Sequence, residues 1–163
     1  RVQDAAALGV IDHCDRDPVL DAPPRVARIE LGQEAHTWWR ERRPEFDLYV
    51  SQVVLAEAAA GDPQAATRRA ELLAQLRLLD VTPEVAELAA ALIEQTPLPP
   101  RAGADAVHIA IATYYGLDFL LTWNSAHIAN AALRPRIEEV CRQRGFRPPV
   151  LCTPDELMGE DDD

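Results

Sequence analysis

Two carboxylates stand among residues that should not tolerate them. Glu57 lies in Gln52-Val53-Val54-Leu55-Ala56-Glu57-Ala58, and Asp105 lies in Ala104-Asp105-Ala106-Val107-His108-Ile109. The one-turn neighbours of Glu57 are Val53, Val54 and Ala60, so it belongs to no solvated polar stripe. A carboxylate pointing into a cleft is raised in pKa unless a metal or a partner compensates. The plainer alternative is a surface acid on a short helix. Asp105 has Arg101, Ala102, His108 and Ile109 at helical spacing. It is either a first-turn acid complementing the helix dipole, worth about 0.3–1 kcal/mol, or a metal-binding carboxylate at the carboxyl-end rim of an α/β sheet.

The elements that must position these acids follow from local signals. Pro97-Leu98-Pro99-Pro100 ends one helix, and Ala104 to Tyr115 reads as the next, stopped by Gly116. Phe119 to Thr122 is a short apolar strand bounded by Asn124-Ser125. Ligands in open α/β sheets bind outside the carboxyl ends of strands, which would place Thr122 and Asn124 beside Asp105. Upstream, Leu48-Tyr49-Val50 is a strand and Ser51 caps a helix from Gln52 to Ala60. A helix from Pro63 to about Gln75 and a strand from Leu76 to Val81 come next. That strand has the apolar content of a buried parallel position. Thr82 caps a helix from Pro83 to Gln95, with Pro at its first position. Pro135 to Arg144 is a polar helix stopped by Gly145, Val150-Leu151-Cys152 is the last strand, and Thr153 to Glu156 begins a final helical turn.

The first thirty residues are atypical. Leu8 to Ile11 reads as a strand leading into Asp12, the stretch after it is rich in Pro and Asp, and Glu30 to Arg43 reads as a helix carrying Trp38 and Trp39. Strands alternating with helices predict an α/β fold of three α/β/α layers around a central parallel sheet of four to five strands. The expected organisation is one domain over residues 1–157 and an acidic tail over 158–163, with the atypical segment 1–30 read as a divergent N-terminus or one altered by a frameshift or wrong start.

Composition narrows the function classes. The chain has 163 residues, 48% of them hydrophobic, enough for one packed core. No apolar run approaches the ~20 residues of a membrane helix. Cys14, Cys141 and Cys152 are odd in number and lack C-x-x-C spacing, so neither a disulfide framework nor a zinc site is signalled and a cytoplasmic location fits. The formal charge of −11 argues against a generic polyanion binder. All 16 basic residues are Arg, which removes any mechanism needing a catalytic lysine. An acidic nuclease remains consistent if its carboxylates hold divalent metal through which phosphate binds.

Three features in order resemble the PIN-domain nuclease family and, within it, the VapC-like toxins of bacterial toxin–antitoxin pairs. They are Ser51-x5-Glu57 after a strand, Ala104-Asp105-Ala106-Val107-His108-Ile109-Ala110, and Leu120-Leu121-Thr122-Trp123-Asn124. The resemblance covers Glu34 to Leu157. It implies a metal-dependent endoribonuclease in which Asp12, Glu57 and Asp105 converge on one or two Mg²⁺ or Mn²⁺ ions. Asn124 would complete the catalytic set and, with Thr122, position the attacking water. Trp123, Ser125 and His127 would touch the RNA substrate. It also implies a cognate antitoxin and a homodimer. The chain departs from the family twice. Asn124 stands where many relatives carry Asp, and the residues after Asp12 do not look like the family's opening helix.

Other readings compete residue by residue. His108 follows Asp105 by one turn, and Asp/His is also a transition-metal pairing, but a helical histidine flanked by Val107 and Ile109 more often belongs to the core and bonds to backbone. His127 suits loop capping as well as substrate contact, and Trp123 suits packing as well as base stacking. Arg134, Arg136, Arg142, Arg144 and Arg147 could contact phosphate, though a solvated helix face is the plainer account. Asp15-Arg16-Asp17 hints at a haloacid-dehalogenase-type phosphatase, but His13-Cys14 precede it instead of a hydrophobic strand and no Lys follows. Serine-hydrolase and P-loop motifs are missing. The serious competitor is a catalytically impaired PIN-like domain that binds RNA or protein.

Overall fold

Within Asp47–Ser51 successive side chains must point to opposite faces of a sheet, and in the computed structural model they enter two different cores. Tyr49 packs against a large cluster that includes Leu79, Leu92, Ile109, Leu120, Val140 and Leu151. Val50 belongs to a smaller cluster with Val54, Ala58 and Leu73. A sheet with a separate apolar core on each face is the middle layer of three, as expected.

The structure describes residues 5–8, 46–60, 63–99, 102–122, 131–153 and 156. In chain order the elements are β1 (Ala5–Leu8), β2 (Asp47–Ser51), α1 (Gln52–Ala58), α2 (Pro63–Leu73), β3 (Arg77–Leu79), α3 (Pro83–Gln95), α4 (Gly103–Tyr114), β4 (Phe119–Leu121), α5 (Arg134–Gln143) and β5 (Val150–Cys152). Among the described residues five strands form one parallel sheet in the order β3-β2-β1-β4-β5. Among the described residues no helix is long and apolar enough to cross a membrane. The expected helix over residues 30–43 lies outside the described residues, as do residues 9–11 of the first expected strand.

Caps and stops decide where the helices begin and end. The backbone N–H of Val54 donates to Ser51 Oγ at 3.3 Å, and that of Val85 to Thr82 Oγ1 at 3.3 Å. Both hydroxyls satisfy a first-turn donor that the helix itself leaves unpaired. At the other end of α4, Gly116 sits at φ 67°. Its N–H donates to Thr113 O at 3.1 Å and that of Leu117 to Ala112 O at 2.9 Å, the paired bonds of a glycine-stopped helix. Gly145, at φ 82°, ends α5 in the same way through Arg142 O and Cys141 O.

The larger core brings α3, α4 and α5 together over β3, β4 and β5. Leu92 and Ile109 are fully buried there, each contributing about 1.5–3 kcal/mol of transfer free energy. One expectation fails. β3 is three residues long and lies at the sheet edge, with Leu78 48% exposed, where the sequence suggested a buried strand over residues 76–81. Its apolar run is short because the N–H of Leu76 still bonds to Leu73 O at 3.0 Å, closing the turn after α2.

Candidate active site

Register places the carboxyl ends of the strands together. Ser51 pairs with Leu79, Leu8 with Leu121, and Leu121 with Cys152. α1 leaves this edge directly, because Ser51 is both the last residue of β2 and the cap of α1. Glu57 is the penultimate residue of α1. α4 returns through Gly116 to the amino end of β4, so its first turn, which carries Asp105, points back toward the carboxyl edge.

The two acids differ in surroundings. Asp105 is buried, at 6% exposure, in the first turn of α4. Glu57 is partly buried, and its side chain meets His108, which projects from α4 one turn after Asp105. His108 Nε2 lies 3.4 Å from Glu57 Oε1 in hydrogen-bonding alignment. It is 3.3 Å from Oε2 but off the line of a bond, so Oε2 is buried with no hydrogen-bond partner among the described residues. The sequence favours a core histidine bonded to backbone for His108, with a metal pairing to Asp105 as the alternative. The side chain is buried, but it faces Glu57, a carboxylate of another helix that no local spacing signals.

Thr122 is fully buried at the end of β4, and its backbone N–H donates to Cys152 O at 2.9 Å. Asp12, Trp123, Asn124, Ser125 and His127 lie outside the described residues. The arginine series is largely used within the fold. Arg134 pairs with Glu156 at 3.2 Å, Arg142 with Glu138 at 2.7 Å and Arg147 with Asp118 at 3.3 Å, while Arg136 Nε donates to Gln95 O at 2.8 Å. Those contacts favour the solvated-face account over phosphate binding.

The described side chains suit a hard divalent cation in kind. A buried carboxylate oxygen without a donor is costly, and Glu57 Oε2 is such an atom beside a helix that carries a second buried acid. Oxygen ligands of this type are those Mg²⁺ and Mn²⁺ take. Among the described residues no three His, Cys, Asp or Glu side chains gather into a metal site.

Comparison with known proteins agrees with this architecture. The PIN domain family matches residues 25–133. No curated protein matches the sequence. Among solved structures, the crystal structure of VapBC2 from Rickettsia felis bound to a DNA fragment from their promoter is similar in fold, with a TM-score of 0.50 at 10% identity. The match covers 91% of this chain and 98% of that one. With the family match spanning most of the chain and the parallel α/β/α fold in place, the chain belongs to the PIN domain family.

Proposed function

We propose that this PIN domain is a metal-dependent endoribonuclease of the VapC-like toxin type, with Glu57 and Asp105 holding Mg²⁺ or Mn²⁺ together with Asp12. The observation that carries the reading is the buried Oε2 of Glu57, which accepts no hydrogen bond among the described residues, next to the helix that carries buried Asp105. A bound divalent ion would supply Lewis acidity at the phosphodiester and a nucleophile from water at neutral pH. Glu57 and Asp105 would supply carboxylate oxygens, and with them negative charge, at the carboxyl edge of the sheet. In a chain of net charge −11 that charge repels phosphate until it is neutralised. Asn124 brings acceptor capacity without charge and would orient water with Thr122. Trp123, Ser125 and His127 follow directly in sequence and would meet the RNA strand.

The partner in this reading is a cognate antitoxin that places an arginine among the carboxylates, where a bidentate charge-assisted pair substitutes for metal. A homodimer is the expected assembly. A second reading is favoured by Asn124 in place of an acid: a catalytically impaired PIN domain that binds RNA or protein. The two are separated by thermal unfolding with and without Mn²⁺ alongside cleavage of labelled RNA with and without chelator. Stabilisation by Mn²⁺ together with chelator-sensitive cleavage supports the nuclease. RNA binding with neither effect supports the impaired domain.

A further inference from the structure

The polar contact between α1 and α4 divides one carboxylate into two unequal oxygens. Glu57 Oε1 lies in hydrogen-bonding alignment with His108 Nε2 at 3.4 Å, whereas Oε2, 3.3 Å from the same nitrogen but out of alignment with it, is buried and has no hydrogen bond among the described residues. The His108 side chain is only 2% exposed, and that of Glu57 is 18% exposed. The ring adjoins a cavity of only about 10 Å³ lined by Tyr49, Ser51, Leu79 and Leu120, which leaves it little room to turn away. A neutral imidazole has one donor nitrogen and one acceptor, and only the donor can face a carboxylate favourably.

We propose that His108 is a positioning residue for Glu57. With its hydrogen on Nε2 it donates to Oε1 and holds the carboxylate so that Oε2 is the oxygen presented to a divalent cation. The inference rests on the metal-site reading and adds to it the residue that orients one ligand. Such an arrangement fixes a ligand before metal arrives, so less side-chain freedom is lost on binding. A leucine at 108 would fill the space and leave both oxygens of Glu57 free to turn.

Calorimetric titration with Mn²⁺ of the wild type, His108→Leu, His108→Gln and Glu57→Gln tests this. His108→Leu is expected to weaken Mn²⁺ binding by about 10–100-fold. His108→Gln, which keeps an amide donor, recovers much of that loss. In the Glu57→Gln background, His108→Leu has no further effect. The ¹⁵N signals of the ring in the metal-free wild type are expected to report hydrogen on Nε2, and that measurement stands even if the leucine variant fails to fold. Mn²⁺ affinity of His108→Leu within twofold of wild type, or a bare Nε2, overturns the inference while leaving the metal site intact. Failure of the wild type to bind Mn²⁺ overturns the metal-site reading and this inference with it.

Discussion

His108 on α4 faces Glu57 on α1 across 51 positions of sequence, with Nε2 3.4 Å from Oε1. The contact ties together two helices that each carry an acid, one of which, Asp105, lies a single turn before the histidine. A seven-residue helix such as α1 is too short to hold itself. Its position comes from the Ser51 cap, from the packing of Val54 and Ala58, and from this pairing.

Asp105→Asn keeps the volume of a buried side chain and removes its charge. The fold is expected to survive, with unfolding by urea still cooperative. Wild type should gain about 2.7 kcal/mol of stability when Mn²⁺ is present at 100 times its Kd, and the variant little of it. Metal-dependent RNA cleavage should fall by orders of magnitude. Equal stabilisation of both proteins by Mn²⁺ would remove Asp105 from the site.

Gly116→Ala tests the stop of α4. The added methyl meets open space, so any cost must come from the backbone, which sits at φ 67°. The expected loss is about 1–2 kcal/mol, read as a lower urea midpoint at an unchanged slope. Since Gly116 lies at the far end of α4 from Asp105, Mn²⁺ affinity should be untouched. An unchanged midpoint contradicts the strain argument.

Cys141 and Cys152 are buried and free. Burial pushes the Cys152 thiol up to about 12, with Glu156 adding to the shift and Arg134 opposing it. Burial likewise raises that of Cys141. The thiolate is the reactive form, so neither residue should react with iodoacetamide at pH 8 while the protein is folded. Both should react in denaturant. Mass spectrometry of peptides after native labelling reads the result directly, and modification of either within minutes would refute the burial assigned to it.

Glu156 supplies a pH dependence. Burial tends to raise its carboxyl, but the Thr153 N–H at 2.7 Å and the Arg134 guanidinium outweigh that and hold it below its usual range. A carboxyl lowered in the folded state stabilises fully above its unfolded value, near about 4.3, and loses that contribution as pH falls through the folded value. The side chain is half exposed, so Glu156→Gln should cost less than ~1 kcal/mol at pH 7. Urea midpoints of the two proteins are expected to differ at pH 7 and to converge as pH drops below the carboxyl range. A constant gap across that window would deny the linkage.

What could be read from the chain alone was local. Ser51, Thr82-Pro83, Gly116 and Gly145 act within four or five residues of themselves, and the structure uses each of them as a cap or stop. The helix Pro83–Gln95 and the strand Val150–Cys152 agree with the sequence reading to the residue. Alternation of strand and helix likewise forces a parallel sheet, because strands joined through helices return in the same direction. The tertiary structure decided what depends on distant partners. Among the described residues β3 pairs with β2 alone, which makes it an edge strand, a fact absent from its own apolar sequence. The arginines of α5 and its flanks were drawn to Glu156, Gln95, Glu138 and Asp118. His108 met Glu57 because the packing of α4 over the sheet brings their two helices together. No local rule links positions 57 and 108, since pairing at such separation arises only when burial of apolar surface has fixed both backbones.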